Sequence, residues 1–353
     1  WGSYENDFPR VFYSHSGDSG ETWSVPRTLD QLGEQGGATQ PDVATDGGDH
    51  VYVVWVEYDG LYLAHSADGG AKWAVTPSPV ITSTGWLNTP ALAVDATGAL
   101  HLVWQEMIPE SKQAVCYARS ADHGDTWTTP HCFDSPVALL PQALPDVAVN
   151  RLNANVHVVW EQNDGNYTAI YHALSSDGGN TWGTPQSLSE AGYYATWPAV
   201  AVNSTGLAYV VWEQGLDVPE IYYAQSSDGV LWSTPSRVND AWRGTTHYRP
   251  AIAAGDTPHV LWTLEDAQGV KDIYATALAT PEPVTIPASD GKVTLDGQCG
   301  ARTEYANALA VEFSDFGYTR TVYLQHDGTN LYVCMDAFHG WFDQDRAGVV
   351  YLD

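Results

Sequence analysis

The sequence predicts an all-β protein, a β-propeller whose small antiparallel sheets repeat around a ring. Three repeated features predict this fold: a Ser-Asp-Gly-Trp turn, an apolar strand that ends in Trp, and a Pro-led strand before each of those strands. The turns end in Trp23, Trp73, Trp127, Trp182 and Trp232, which are spaced 50, 54, 55 and 50 residues apart. This period is too long for a solenoid turn and fits a blade of four strands.

The turns occupy residues 16–23, 66–73, 120–127, 175–182 and 226–232, and the last copy is degraded. In a tight turn of this composition, Ser and Asp oxygens accept hydrogen bonds from backbone N–H groups, and Gly supplies a positive φ. We expect the Trp to pack between neighbouring sheets.

The apolar strands end at Trp55, Trp104, Trp160, Trp212 and Trp262. Upstream of each of them a Pro opens a short alternating strand, as at Pro90, Pro145, Pro198 and Pro250. Pro suits the first residue of a strand, where no ladder donor is needed. Each blade therefore contains a Pro-led strand 1, a tight turn, strand 2 ending in Trp, a variable loop, strand 3, the Ser-Asp-Gly-Trp turn and strand 4.

Over residues 10–280 the chain resembles the Asp-box (BNR) repeats of sialidase-like β-propellers. The five copies in register carry this resemblance. It implies a propeller fold whose boxes lie on the face opposite the active site. Because such boxes also occur in many proteins that are not sialidases, the resemblance implies little about chemistry.

Two blade numbers fit the repeat. Residues 10–29 supply only strands 3 and 4 of a blade, and residues 249–279 supply strands 1 to 3 of the last one. Six blades, with two strands missing upstream, is the preferred prediction. The alternative is five blades, with the N-terminal strands closing the last one.

The repeat fades near residue 280, which predicts a propeller over 1–280, a linker over 281–286 and a second β domain over 287–353. The phrases Leu331-Tyr-Val and Val349-Val-Tyr-Leu-Asp resemble β-sandwiches of the family-9 carbohydrate-binding-module and DOMON type. A full sandwich needs about 100 residues, so this one is predicted to be partial. The incomplete ends suggest self-association, in which a neighbouring molecule supplies strands.

The composition of the chain limits the classes of binding partner and indicates the cellular compartment. A net charge of −29 makes nucleic acid an unexpected partner, and no apolar stretch is long enough to span a membrane. The four Cys fall into two pairs, Cys116 with Cys132 across a predicted hairpin, and Cys299 with Cys334 in the tail. An even number of Cys in a Trp-rich chain favours disulfides and a secreted or cell-surface protein.

The candidate binding site lies on the face away from the turns, where strands 2 end. There an acid or amide stands one to three positions past each strand-2 Trp, and the predicted ligand set is Glu57, Glu106, Glu161, Glu213 and Glu265 with Trp55, Trp104, Trp160, Trp212 and Trp262. One interpretation is a polar funnel for glycan hydroxyls or a cation. The other is that Trp-x-Glu is a repeat consensus that holds the blade together.

A sialidase-like enzyme would need three Arg to clamp a carboxylate, a Tyr nucleophile with a Glu partner, and an Asp. The candidates are Arg10, Arg237, Arg243, Arg249 and Tyr248. Three of these Arg crowd one loop, and Phe8-Pro-Arg10 replaces the Arg-Ile-Pro signature of that family. We therefore expect no sialidase activity.

Three classes of function follow. The leading one is a non-catalytic protein that recognises glycans or a cell-surface polymer. The others are a sialidase-like or other polysaccharide-cleaving enzyme, and a structural subunit of an extracellular polymer or sheath. No cofactor is expected except Ca²⁺, for which Asp343 and Asp345 form a candidate loop.

Overall fold

A computed structural model of the chain divides it into two compact units, residues Trp1–Ala279 and Thr280–Asp353. In the first unit the structure describes residues 2–5, 8–18, 21–30, 37–57, 60–76, 78–83, 85–108, 112–133, 142–163, 165–239, 245–255 and 257–278. In the second it describes the backbone of residues 309–315, 318–326, 330–335 and 346–351.

The first unit is a β-propeller with five blades, all antiparallel. The first blade contains β4(Thr39–Thr45), β5(Val51–Glu57), β6(Gly60–Ser66) and β7(Ala74–Val75), and the second contains β8(Leu87–Val94), β9(Leu100–Ile108), β10(Lys112–Ser120) and β11(His131–Cys132). The third contains β12(Gln142–Val149), β13(Val156–Asn163), β14(Thr168–Ser175) and β15(Gln186–Ser187), and the fourth contains β16(Tyr194–Val202), β17(Ala208–Gly215), β18(Glu220–Ser226) and β19(Ser236–Arg237). The fifth contains β20(Thr246–Ala254), β21(Pro258–Glu265) and β22(Lys271–Ala277). Each blade is a simple meander, and the first strands of successive blades are neighbours.

The preferred prediction of six blades is not supported. The N-terminal strands β1(Gly2–Glu5), β2(Phe8–Tyr13) and β3(Arg27–Thr28) form a separate three-stranded sheet that lacks a Pro-led strand 1. This sheet packs against the first blade, where Val11 and Leu29 join the core around Trp55. The alternative prediction gave the correct number of blades, five. Its account of ring closure is not supported, because the described N-terminal strands pair with one another and not with β22.

The Pro of strand 1 is not its first residue, contrary to prediction. Strand 1 begins two to four residues earlier, and in every blade the ladder register shifts where an X-Pro pair lies opposite the strand-2 Trp. The pairs are Gln40-Pro41, Thr89-Pro90, Leu144-Pro145, Trp197-Pro198 and Arg249-Pro250. A bulge leaves one residue out of the ladder, so it tolerates the missing N–H of Pro as well as a strand end does.

The core lies between successive sheets. Trp55, Trp104, Trp160 and Trp212 are fully buried, and each belongs to one of the apolar clusters that join neighbouring sheets. In the fifth blade Trp262 packs with Tyr209 and Val260 in the same way. The strand-2 Trp is therefore a core residue of the blade.

The Ser-Asp-Gly-Trp turns form one hydrogen-bond pattern. In the second blade Ser120 Oγ donates to Asp122 Oδ1 (2.8 Å) and accepts from the N–H of Gly124 (2.9 Å), and Asp122 Oδ1 accepts from the N–H of Thr126 (2.9 Å). The indole N–H of Trp127 closes the turn on Gly124 O at 3.0 Å. These contacts satisfy the turn backbone internally, as the composition of the turn predicts.

Cys116 and Cys132 are joined by a disulfide, which confirms the pairing predicted from the hairpin. The two residues face each other in the ladder between β10 and the two-residue strand β11. The bond therefore ties the short outer strand to the blade.

The second unit contains one described sheet, a meander of β23(Leu309–Asp315), β24(Tyr318–His326), β25(Asn330–Met335) and β26(Arg346–Tyr351). The predicted sandwich is not supported, because these strands form a single layer. The predicted Cys299–Cys334 bond and the Ca²⁺ loop at Asp343 and Asp345 lie outside the side chains that the structure describes. Self-association through this unit stays a prediction.

Among the residues that the structure describes, no helix has the length and apolar character needed to cross a membrane.

Candidate functional site

Strand 1 of each blade, which neighbours strand 1 of the next blade, is called here the inner strand. Five strained residues lie near the start of these inner strands. The X residue of each X-Pro bulge has a left-handed backbone, with φ of 53° at Gln40, 45° at Thr89, 48° at Leu144, 54° at Trp197 and 53° at Arg249. For a non-Gly residue this conformation costs about 1–2 kcal/mol. Strain of this kind is often found at ligand sites. The candidate binding surface is therefore the end of the propeller where strands 1 begin and strands 2 end, called here the mouth.

Side chains of one blade hold the bulge of the next. The N–H of Thr89 donates to Gln40 Oε1 at 2.6 Å, and the N–H of Trp197 donates to Glu161 Oε2 at 3.4 Å. The N–H of Arg249 donates to Glu213 Oε1 in the same manner. These bonds fix the left-handed residues between blades and orient their side chains.

Trp197 and Arg249 form the most developed part of this mouth. The guanidinium carbon of Arg249 lies 4.7 Å from the centroid of the Trp197 ring, a cation–π contact. Trp197 nevertheless keeps 38% of its surface exposed, and Arg249 is exposed as well. A flat ring held rigidly at the surface beside a cationic donor is suited to a ligand with both an apolar face and polar groups.

Two carboxylates line the same region. Burial raises the pKa of Glu161, against the opposing effect of the Trp197 N–H. Burial also raises the pKa of Glu213 to about 7; the Arg249 N–H and Thr196 hydrogen bonds oppose the shift, and the negative charge of Glu161 adds to it. Near neutral pH, Glu213 is thus divided between its acid and carboxylate forms.

A second pair of acids lies one step deeper, directly after the bulge Pro of the first and third blades. Asp42 Oδ2 accepts from the N–H of Leu92 at 2.7 Å, and Asp146 Oδ2 accepts from the N–H of Val200 at 2.8 Å. Burial raises the pKa of Asp42 to about 6 and that of Asp146 to about 7, and the charge of Asp42 contributes to the second shift. These acids join inner strands of successive blades and are partly protonated near neutral pH.

More aromatic surface surrounds the mouth. Tyr193 and Tyr194 precede the Trp197 bulge and are 41% and 48% exposed, and Tyr167 meets Tyr194 edge-on at 5.2 Å. Between the first two blades lies a cleft of about 360 Å³, lined by Glu57, Trp86 and Asn88 among others. Trp86 is 75% exposed there. Both sites lie where strands 1 begin and strands 2 end.

The structure places the five predicted Trp inside the blades and gives each indole N–H an acceptor. Trp55 and Trp104 donate to Glu57 Oε1 (2.8 Å) and Glu106 Oε2 (3.0 Å), two residues further on. Gln162 and Gln214 accept in the same way in the next two blades. In the fifth blade Leu264 takes this position, and the Nδ1 atom of His247 accepts from Trp262 at 3.0 Å. This repeated bond agrees with the interpretation of Trp-x-Glu as a blade consensus.

The residues proposed for a sialidase-like site are brought together only in part. Tyr248 donates to Glu265 Oε2, and Lys271 lies 3.3 Å from the same oxygen. Arg249 directly follows Tyr248 in the chain. Arg10 instead pairs with Asp30 at 3.1 Å.

Arg237 is an exposed residue of β19, and Arg243 lies outside the described residues. The described residues thus contain a Tyr-Glu pair without a demonstrated clamp of three Arg.

Sequence reasoning missed the bulge residues. Gln, Thr, Leu, Trp and Arg share no chemical property, so no motif marks them. The one signal available was their common position directly before the strand-1 Pro, opposite a strand-2 Trp.

Comparisons with solved structures show the fold. A protein of unknown function from Dyadobacter fermentans matches with a TM-score of 0.52 at 14% identity, over 90% of this chain and 94% of its own. A polysaccharide lyase described as an ulvan lyase matches with a TM-score of 0.51 at 12% identity, over 99% of this chain and 91% of its own. An endo-arabinase from Bacteroides thetaiotaomicron matches with a TM-score of 0.47 at 10% identity, over 69% of this chain and 94% of its own. No protein-family model and no curated protein sequence match.

Proposed function

We propose that this chain is an extracellular carbohydrate-recognising β-propeller, which holds a glycan at the mouth of the inner strands. The observation that carries the proposal is the exposed Trp197 ring, fixed in a left-handed bulge and covered on one side by Arg249. A sugar ring has apolar C–H faces that pack on an indole and hydroxyls that bond to carboxylates, amides and guanidinium groups.

The surroundings of Trp197 support this ligand class. Glu161 and Glu213 lie beside the ring, each with one carboxylate oxygen held by a bulge N–H, and Arg249 offers donors. Tyr193 and Tyr194 extend the aromatic surface. We expect neutral glycans to bind better than anionic ones, because a net charge of −29 raises the cost of approach for an anion.

Two further observations agree with the proposal. The Cys116–Cys132 disulfide is typical of proteins in oxidising compartments, where glycan polymers are met. The ulvan lyase that shares this fold acts, by its name, on a polysaccharide. The hydrogen bonding of the Ser-Asp-Gly-Trp turns also supports the resemblance to Asp-box propellers.

A glycan array read with wild type and Trp197→Ala tests the proposal. We expect wild type to bind a subset of neutral glycans, and the variant to lose at least about tenfold in affinity, or about 1.4 kcal/mol. Trp23→Ala is the matched control, because Trp23 is an exposed Trp, 65% accessible, in a turn on the opposite face. The proposal would be contradicted if wild type bound no glycan on the array, or if Trp197→Ala and Trp23→Ala bound equally well.

The repeated acids are tested separately with a Glu106→Gln, Glu213→Gln double variant, which keeps shape and removes charge. Loss of binding with retained folding would show that these carboxylates contact the glycan. Unchanged binding would assign them to the blade alone, where Glu106 accepts from Trp104 and Ser83.

A polysaccharide-cleaving activity is the second candidate, and the raised pKa of Glu213 favours it. A general acid requires a carboxyl group that is still partly protonated near neutral pH. The test is incubation with neutral and anionic polysaccharides, followed by assays for new reducing ends and for unsaturated products. Activity that disappears in Glu213→Gln would establish this function over binding alone.

Sialidase activity remains unexpected. Hydrolysis of a fluorogenic sialoside by wild type, lost in Arg249→Ala, would contradict that expectation and assign Tyr248 and Glu265 a catalytic role.

A further inference from the structure

Three histidines meet on the opposite face of the propeller, between the first and second blades. His50 ends the turn before β5, His65 lies on β6, and His123 lies in the Ser-Asp-Gly-Trp turn of the second blade. One ring nitrogen from each lies within 4.8 Å of the other two. No sequence spacing predicts this cluster, because its members come from two turns and a strand.

The three imidazoles are arranged in parallel. The ring centroids of His50 and His65 are 5.1 Å apart, those of His50 and His123 are 4.9 Å apart, and those of His65 and His123 are 5.3 Å apart. His50 Nδ1 and His65 Nε2 are 2.8 Å apart, so one of them donates to the other. Two nitrogens already at this distance need only a small opening to share an ion with bonds of about 2.0–2.1 Å.

His123 occupies a position that glycine occupies in the turns of the first and third blades. In the turns of the first and third blades the residue after the Asp is Gly69 or Gly178, with φ of 68° and 70°. His123 adopts φ of 60° at the same position, although an imidazole side chain makes this backbone costly. A strained histidine where its counterparts are glycines points to a function for the side chain.

A comparison within the molecule supports this interpretation. The third blade has a similar pair, His157 and His172, with ring nitrogens 3.2 Å apart. There the turn of the next blade brings Gly229 close to His157, and a glycine offers no third ligand. The pair of the third blade is also buried, whereas the cluster of the first two blades reaches the surface.

Neighbouring groups fit a cation. Tyr52 Oη lies 2.5 Å from His123 Nδ1 and orients that ring. The carboxylates of Asp46 and Asp125 are close enough to act on the charge of His65. Ligating histidines usually have such outer partners, which fix the ring and strengthen the ligand.

We propose that His50, His65 and His123 bind a divalent transition-metal ion, with Zn²⁺ the expected occupant. Three imidazole nitrogens favour zinc, copper, nickel or cobalt over Ca²⁺ and Mg²⁺, which prefer oxygen ligands. Three protein ligands leave a fourth position for water or an exogenous group.

The experiment is titration of the full chain, first stripped of metal with a chelator, with Zn²⁺ by calorimetry and with Co²⁺ by visible absorbance. We expect one equivalent to bind wild type. His123→Gly should weaken binding at least about tenfold, as loss of a ligand or its partner does. This variant restores the glycine of the sister turns, so folding is retained, and His259→Ala, at an exposed histidine of the fifth blade, is the control.

At one zinc concentration, zinc should also raise the melting temperature of wild type and of His259→Ala more than that of His123→Gly. No saturable binding by wild type, or equal binding by wild type and His123→Gly, would overturn the proposal. Because the cluster lies on the face opposite Trp197, glycan binding should be unchanged in His123→Gly. The metal proposal and the glycan proposal therefore fail independently.

Discussion

The backbone N–H of Arg249 donates to a carboxylate oxygen of Glu213, which fastens the fifth blade to the fourth at a strained residue. The bond has two consequences. It positions the guanidinium group over Trp197, and it consumes an acceptor on a carboxylate that is almost fully buried. The same contact therefore serves the ring of blades and shapes the candidate site.

Glu213→Gln should stabilise the protein at alkaline pH. Burial raises the pKa of Glu213 to about 7, so at pH 8 the folded state holds a charge that the unfolded state solvates better. Removing that charge should increase the free energy of unfolding by about 1–3 kcal/mol, since one pKa unit corresponds to about 1.4 kcal/mol. Denaturant unfolding at pH 8 and at pH 5 measures the effect. A gain of equal size at pH 5 would point to a cause other than ionisation.

Thr89→Gly should stabilise the second bulge. Thr89 is β-branched with φ of 45°, and its hydroxyl is buried without a hydrogen-bond partner among the described residues. Relief of about 1–2 kcal/mol of strain exceeds the entropic cost of about 0.5–1 kcal/mol for glycine. Thr39→Gly is the control, because Thr39 stands at the start of the first inner strand outside any bulge pair. Thermal melting should show opposite shifts for the two variants.

Ser175→Ala should destabilise the third blade. Ser175 is fully buried, and its Oγ accepts from the N–H of Gly179 at 2.8 Å while donating to Asp177 Oδ1. Losing the hydroxyl leaves a partly buried N–H unsatisfied, at a cost of about 1–3 kcal/mol. Ser187→Ala, at an exposed serine of the same blade, should change the free energy of unfolding by less than about 0.5 kcal/mol. Similar losses in both variants would contradict this role of the turn.

Sequence reasoning reached the blades because their determinants are local. The spacing of Trp55 from Trp73, and its equivalents, reports strand length and turn chemistry, which repeat from blade to blade. The bulges were not predicted, because the left-handed conformation of Trp197 or Arg249 depends on the strand-2 Trp opposite and on a carboxylate from the previous blade. The histidine cluster escaped for a similar reason, since His123 meets its partners only when two blades pack together.

The two predicted disulfides can be separated by mass mapping without reduction. The structure shows Cys116–Cys132, and Cys299–Cys334 stays a prediction. Replacing Cys116 and Cys132 together by Ser should cost about 2–4 kcal/mol, because the bond closes a loop of 16 residues and secures β11. A free thiol, or a bond between the two units, would show that the pairing is wrong.

The ionisation of Asp42 and Asp146 should lower the free energy of unfolding as the pH rises from about 4 to 7. Asp42 and Asp146 have folded-state pKa values raised to about 6 and about 7, mainly by burial. In this interval the unfolded state loses their protons first, and the folded state is destabilised until the pH passes the raised values. Carboxylates of the turns act in the opposite sense at lower pH, because hydrogen bonds from Thr126 and Ser120 lower the pKa of Asp122 to about 2. His157 and His172 also act in the opposite sense, because burial lowers their pKa values and the unfolded state takes up their protons first as the pH falls below about 6.5.

Asp146→Asn separates this effect from general charge repulsion. A net charge of −29 also destabilises the folded state as acids ionise, but salt screens repulsion between exposed groups far more than it affects a buried acid. We expect the free energy of unfolding of Asp146→Asn to increase relative to that of wild type as the pH rises from 5 to 8, in 0.5 M salt as well as in 0.05 M salt. Asp266→Asn, at a turn of the fifth blade, should leave the profile unchanged. If high salt abolishes this difference between Asp146→Asn and wild type, surface repulsion accounts for it and the buried acid does not.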